Sequence, residues 1–531
     1  MRSVIRNNAP WISLIAACAL RLSAVANIIP VTSTNDSGAG SLRQALAVAN
    51  NGDTIDATGV SGVISLTSGA LLVNKALTIN GPGADVLAID GNMASGVFEI
   101  VSGDMVAISG FTIRNGHGGT TGGGVDNQNN VPLTITNCII SGNSAGLGGG
   151  IFNSGPLTVT STTISGNSAT SGGATYNDGS GNLTVNESTF TGNTGNGSGG
   201  AIFNIGTYLI SNTTVSRNSS SLGGGALNIG MLTVLNSTIS NNMSDEGAAV
   251  YSSSFGTVTI SNSTISGNTA SEYAAGIFNL ATLQIANTTF SNNSAPFVAG
   301  DVINLQNLQI GNTILNKGNA VRTIYSNSQG VVMSLGYNLS SDDGGEILTG
   351  HGDQVLTNPM LGPLQNNGGA TFTHSLLPGS PAINAGDPNF TPPPLFDQRG
   401  AGFDRVVNGR IDVGSFELQG QGPTPTATPT PTASPTPSAI PSSTPTSTPL
   451  KHPQLLLHLL LQLNSHLQLR QLPRPQLQRN PVQVLRPDRL LCRECGLPRY
   501  REHSASTTCN LSTRFRSCDN AIALEPRMLL V

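Results

Sequence analysis

From Val106 onward, apolar and polar residues alternate in short runs that return with little variation. Leu157-Thr158-Val159 and Leu232-Thr233-Val234 are typical, with every second side chain apolar, as in a strand that buries one face. Such runs begin at Val106, Leu133, Leu157, Leu183, Tyr208, Leu232, Val258, Leu283 and Leu308, a mean repeat of about 25 residues, and a period in this range marks a solenoid.

Each repeat has three phrases. The alternating run leads into one like Ser263-Thr264-Ile265-Ser266-Gly267-Asn268, where Ile265 points inward and Gly267-Asn268 turns the chain. A Gly-rich phrase closes the repeat, at Gly199 to Asn204, at Gly148 to Asn153 and, more loosely, at Ala274 to Asn279. Three strands and three turns in one period leave roughly 8 residues per side, too few for a crossover helix. A leucine-rich repeat has a similar period but sets its Asn in a Leu-dense frame with a helical return, whereas Gly and Thr dominate here. The pattern predicts an all-β fold, a β-helix with one coil per repeat.

Stacked coils bring identical side chains into columns about 4.8 Å apart. Leu157, Leu183, Leu232 and Leu283 form one apolar column, and Ile140, Ile164, Phe190, Val215, Ile239, Ile265 and Phe290 a second. Asn143, Asn167, Asn193, Asn218, Asn242, Asn268 and Asn293 recur at one turn, and Asn153, Asn177, Asn204, Asn228, Asn279 and Asn304 at another. An amide both donates and accepts, so stacked copies bond to one another and to turn backbone. Their recurrence in nearly every coil reads as a turn ladder rather than a ligand site.

An open coil exposes strand edges and needs a cover at each end. Ser41-Leu42-Arg43-Gln44 is a capping-box sequence that opens a short helix through Asn50, with Leu42, Ala45, Leu46 and Ala49 on one face; it predicts the N-terminal cap. Less regular coils follow through Val63 to Leu66, Leu77 to Ile79 and Val97 to Ile100. Beyond Leu315 the period decays, and Gly336 to Leu418 reads as a distinct unit covering the other end. The organisation expected is therefore 1–26, export signal; 27–105, cap and first coils; 106–335, regular coils; 336–420, end unit; 421–449, disordered linker; 450–531, disordered tail.

Composition sharpens this picture. Among 531 residues there are 64 Gly and 30 Pro, charged residues make up 10% and aromatics 4%, which argues against a compact enzyme core built around buried aromatics. No run of about 18 apolar residues is present to cross a membrane as a helix. The net charge of −4 joins an acidic stretch up to residue 450 to a basic tail, and nothing in the ordered part forms a basic patch for nucleic acid. Arg2 and Arg6, the apolar stretch Trp11 to Leu20 and the small-x-small Ala24-Val25-Ala26 read as an export signal cleaved after Ala26. Ile15-Ala16-Ala17-Cys18 also admits a lipoprotein reading with Cys18 lipidated. Either reading takes the chain out of the cytoplasm, to a secreted or cell-surface location, and Cys138, the only cysteine between residues 27 and 450, leaves that region without internal disulfides.

Residues 423–449 consist of Pro, Thr, Ser and Ala apart from Ile440, a composition that stays extended as a stalk. The tail is rich in Leu, Gln, His, Arg and Pro, the alphabet that Pro and Thr codons yield when read one nucleotide later. A frameshift within the linker accounts for it, and Cys492-x-x-Cys495 with Cys509 and Cys518 is then a weak zinc signal.

These motifs resemble known proteins. The coils are similar to the right-handed parallel β-helices of the pectate-lyase-like superfamily, which implies a right-handed parallel β-helix solenoid here, and, more narrowly, to polymorphic outer-membrane protein repeats, which carry Gly-Gly-Ala-Ile and Phe-x-x-Asn. Gly199-Gly200-Ala201-Ile202 matches the first, and Phe190-Thr191-Gly192-Asn193 and Phe290-Ser291-Asn292-Asn293 the second. Leu361-Gly362-Pro363-Leu364, Asn367-Gly368-Gly369, Gly379 to Gly386 and Asp412 to Glu417 resemble the choice-of-anchor Q domain of bacterial surface proteins. The resemblance implies a bacterial secreted or surface-displayed protein, adhesive or structural, that meets a host or environmental glycan or another cell-surface component. No set of barrel strands follows for an autotransporter.

The alternative is a polysaccharide lyase or glycoside hydrolase acting on an acidic glycan. Residues 106–315 hold only nine charged side chains, sparse for acid–base work. Gly116-His117-Gly118, Gly350-His351-Gly352 and Asp342-Asp343 echo polygalacturonase motifs, but the order and spacing differ and they read as turns. Glu246 and Glu272 each follow a ladder Asn by four residues in neighbouring coils, which places them about one strand spacing, ~5 Å, apart. That separation suits a retaining catalytic pair or, with Asp245, a calcium site; the plain reading is two solvated loop glutamates. No cofactor is expected. Calcium is not expected to be needed for folding, since the Gly-rich phrases end in neutral Asn; an overlooked site would lie at Asp245, Glu246 and Glu272 or among Asp397, Asp404 and Asp412.

Overall fold

The computed structural model describes residues 26–420; residues 1–25 of the expected signal, the linker and the tail lie outside it. Ala26 is exposed, and the first hydrogen bond is donated by the Asn27 backbone N–H to Asp53. The described residues wind as a parallel β-solenoid of about 13 turns and about 25 residues per turn. Within one coil, Pro156–Thr160 lies in a first sheet, Thr163–Ser165 in a second, Ser168–Ser171 in a third and Thr175–Asn177 in a fourth. The first sheet has 13 strands, from Ile28–Pro30 to Val331–Gly336, the second 12 and the fourth 11.

The third sheet, six strands from Ser144–Leu147 to Thr269–Tyr273, corrects the expectation of three strands per coil. Its strands are Ser-, Gly- and Ala-rich with no apolar alternation, so pairing between coils rather than side-chain pattern defines them. Apart from this, the columns stand as the spacing predicts. Leu157, Leu183, Tyr208, Leu232, Val258 and Leu283 pair in succession, and so do the residues from Ile140 to Phe290, all buried. Tyr208 fits the aliphatic column because its hydroxyl meets Thr175 Oγ1 at 3.0 Å.

The first amide ladder is continuous from Asn143 to Asn293, each Nδ2 donating to the next Oδ1 at 2.9–3.0 Å. The second begins one coil earlier than expected, at Asn127, and is interrupted where Ser252 replaces Asn. Gly199 shows why the Gly-rich phrase is Gly-rich. Its φ of 63° is left-handed, and a Cβ would collide with the Ile202 carbonyl.

Leu42–Val48 forms the cap helix, with Ser41 Oγ accepting from Gln44 N–H at 3.2 Å and Leu42, Ala45 and Leu46 buried against the first coils. Cys138 is buried and free, its thiol pushed up to about 11 by burial. At the far end Leu348 enters the core, and Asp353 and Gln354 bond the backbone at Asn338.

The rest of the end unit does not cover the end. Residues 357–418 turn back along the outside of the second sheet as a clasp, because that face offers a regular grid of hydroxyls. Thr238 donates to the Phe372 carbonyl at 2.6 Å, Ser266 Oγ lies 2.9 Å from His374 Nε2, and Ser415 bonds Thr264 and Thr289. Gln398 spans two coils, with Nε2 on Thr238 and Oε1 on Thr264. Leu376, Ala382, Val413 and Phe416 pack on Ile314 and Leu339. The outward Thr and Ser of Thr163–Ser165, Thr189–Thr191 and Thr214–Ser216 are half-buried, while those of Thr238–Ser240, Thr264–Ser266 and Thr289–Ser291 are fully buried by the clasp.

Candidate functional site

The three carboxylates singled out in the sequence lie on the third sheet, Asp245 and Glu246 on Met243–Glu246 and Glu272 on Thr269–Tyr273. They are not arranged as the spacing implies. The register slips by one residue, so Met243 opposes Thr269 and Ser244 opposes Ala270, but Glu246 opposes Tyr273. Ser271 and Glu272 thus face the single residue Asp245, and Ser271 Oγ donates to Asp245 at 2.6 Å. Glu272 is exposed at this bulge and Glu246 half-buried between its strand neighbours Leu222 and Tyr273. The extra residue in the Thr269–Tyr273 strand is the reason, and it overturns direct opposition of the two glutamates.

The two still sense each other. Burial pushes the Glu246 carboxyl up to about 7, with the Glu272 and Asp245 charges adding to the shift. The phenol of Tyr251 is pushed up to about 12 by burial and then by Glu246. Tyr273 is raised by burial and by both glutamates. Among the described residues no group of three or more His, Cys, Asp or Glu is gathered as a metal site.

Several of the other acids and histidines singled out in the sequence are held by neighbouring groups. His117 Nδ1 lies 3.0 Å from Ser144 Oγ, and the His351 ring stands edge-on to Tyr337. Asp342 accepts from Thr323 and from Gly344 N–H. In the clasp Asp397 pairs with Arg399 at 2.6 Å, and Asp412 accepts from the Asn384 and Leu418 N–H groups.

Sequence reasoning missed an aromatic column beside the carboxylates. The second-last residue of each Gly-rich phrase points outward from the fourth sheet, giving Phe152, Tyr176, Phe203, Leu227, Tyr251, Phe278, Ile303 and Tyr325 in direct register. Phe152, Tyr176 and Phe203 stack at centroid distances of 5.6 and 4.9 Å, and Tyr251 and Phe278 at 5.3 Å. Next to this column Tyr273 and Phe297 lie 6.0 Å apart at 49°. Tyr273, Phe278, Val298, Ile303, Leu305 and Tyr325 form an apolar cluster separate from the solenoid core. The signal was present as Phe or Tyr directly before the second ladder's Asn, in Ile202-Phe203-Asn204 and Thr175-Tyr176-Asn177.

Residues 187–205 match the Chlamydia polymorphic membrane protein repeat. The crystal structure of pectate lyase Pel9A is similar at 14% identity and TM-score 0.42, covering 74% of this chain and 96% of that one. A mannuronic acid specific polysaccharide family 6 lyase from human gut microbiota aligns at 11% identity and TM-score 0.35, covering 60% of this chain and 87% of that one. No curated protein matches the chain. The chain is thus a parallel β-solenoid bearing a polymorphic membrane protein-type repeat. Among the described residues no helix is long and apolar enough to cross a membrane.

Proposed function

We propose that this chain is a secreted or surface-displayed solenoid that works by binding a glycan or another cell-surface component, as an adhesive or structural module without catalysis. The observation that carries this reading is the outward apolar column of the fourth sheet, in register over eight coils. Repetition of one kind of group suits a polymeric partner, because six of the eight positions carry a half-buried Phe or Tyr and weak contacts add. Export through the N-terminal signal and display through the C-terminal unit, which resembles a choice-of-anchor domain, complete the proposal.

A second reading, a lyase or hydrolase of acidic glycans, is favoured by one observation, the Glu246 carboxyl raised to about 7 beside the exposed Glu272. Incubation of the full chain with pectin, polygalacturonate and alginate, with and without calcium, separates the two. No new reducing ends and no unsaturated products are expected. Turnover that is lost in Glu246→Gln or Glu272→Gln would replace the binding reading with the enzymatic one.

A further inference from the structure

The coils of a solenoid cover one another, so strand edges stay open only at its two ends. At the far end the second sheet is closed by Gln354, which pairs with Leu339, and the fourth by Gly345, which lies against the Ile324 carbonyl. Ile347 and Leu348 then pack on the core and Gly350 abuts Ser334 and Gly336, so this segment crosses the core end diagonally. It does not run along Val331–Gly336, the last strand of the first sheet. The Val331 N–H donates to the Gln306 carbonyl at 2.6 Å, which fixes the alternation of this strand. Val331 and Met333 bond back to Asn307–Gly311, while the N–H and C=O groups of Val332 and Ser334 point away from the solenoid. Among the described residues none bonds these groups. The opposite end differs, because the outer backbone there belongs to Ile28 and Pro30, and Pro30 has no N–H.

We infer that Val331–Gly336 is a docking edge for one extended peptide strand of a partner protein, apolar at alternate positions, which continues the first sheet. This stands apart from the glycan reading. The two N–H and two C=O groups of Val332 and Ser334 supply the hydrogen bonds of strand addition. Selection comes from the outward side chains: Val331, Met333 and Leu335 are 59%, 51% and 58% exposed in one row, and residues 324–341 carry no charge. Charge or Pro ordinarily blunts such an edge, as Pro30 does at the other end, and this strand has neither. The space beside it admits a single strand. Two solenoid ends meeting here would each bring an Ile347–Gly350 crossing into the same layer, whereas a lone strand lies alongside that crossing. A glycan has no alternating row of N–H and C=O groups to match the edge.

The test is fluorescence anisotropy of a labelled, end-blocked peptide that copies Met231–Leu235 of this chain, a strand with apolar residues at both outward ends, titrated with the full chain. Saturable binding is expected. Met333→Lys, at an exposed position, is expected to weaken it about tenfold with melting unchanged. Val332→Pro deletes an N–H that bonds nothing in the fold and is expected to weaken binding by a similar factor. Two N-methylated peptides give a readout that no misfolded variant can mimic. Methyl groups on Leu232 and Val234 block one edge of the peptide, those on Met231, Thr233 and Leu235 block the other, and only one of the two peptides is expected to lose binding. No saturable binding, or equal binding of both methylated peptides, would overturn the docking edge. A full chain that sediments as a dimer and turns monomeric in Met333→Lys would overturn the partner strand in favour of a second copy.

Discussion

Asn242 donates from Nδ2 to Oδ1 of Asn268 at 3.0 Å while its own Oδ1 accepts from Asn218 at 2.9 Å, so a single amide joins three coils. It also donates to the Val215 carbonyl and accepts from the Asn218 backbone N–H, with no exposure to water. Asn242→Ala removes the acceptor of the Asn218 backbone N–H and of one Asn218 Nδ2 hydrogen together with the donor to the Val215 carbonyl, while Asn268 Oδ1 keeps the residue 242 backbone N–H. At about 1–3 kcal/mol for each buried group left unpaired, a loss of about 2–4 kcal/mol is expected in urea unfolding.

Ile239 lies between Val215 and Ile265 in the second-sheet column, 1% exposed. Ile239→Asp places an unpaired carboxylate among apolar neighbours and is expected to cost about 3–5 kcal/mol at neutral pH, less in acid, where the new group is neutral. Melting indistinguishable from the parent would contradict the assigned register.

Asp301 ends the first ladder, accepting from Asn293 Nδ2 at 2.8 Å while its other oxygen has no partner. Burial holds its carboxyl well above the usual range, and the nearby Asp342 charge acts in the same direction. The folded state therefore keeps a proton that the unfolded chain loses near 3.8, and stability falls as pH rises through the folded value. Asp301→Asn is expected to raise the melting temperature at pH 7 and above. The gain shrinks to nothing toward pH 3.8, which melting curves across pH will show.

Glu246 follows the same sign over a narrower window. Raised from 4.5 to about 7, its contribution is complete below 4.5 and gone above about 7. Glu246→Gln is expected to melt a few degrees higher than the parent above pH 7 and to match it in acid. Identical pH profiles for variant and parent would show that the carboxyl is solvated.

Gln398 is the tie of the clasp. Gln398→Ala removes its bonds to Thr238, Thr264 and Thr371 and leaves buried hydroxyls facing an apolar side chain. Faster amide exchange is expected over residues 371–376 and 397–417, with the solenoid coils unchanged. Acceleration spread through the coils would mean that the clasp supports the whole solenoid.

The solenoid could be read from the chain because its information is local and repeated. Ile140, Ile164 and Phe190 occupy the same place in successive phrases, so the period alone assigns their register. The third sheet carries no such mark: Ser144–Leu147 and Ser219–Leu222 become strands only because the preceding coil offers free backbone groups. The clasp is hidden for a different reason, since Thr238 and Phe372 are 134 residues apart and neither belongs to a shared pattern. At the carboxylates, spacing placed Glu246 and Glu272 in neighbouring coils, but one extra residue in the second strand decided which side chain faced which.

The clasp also determines how the molecule carries load. Its last residues bond beside Asp397 and Gln398, and Gln398 grips Thr238, four coils short of the last strand of the second sheet. Tension arriving through the chain beyond Gly420 therefore enters at the waist of the solenoid rather than at its tip. It runs across many hydroxyl contacts in shear, and the terminal coils are spared the one-at-a-time peeling by which a rod of stacked turns comes apart most easily.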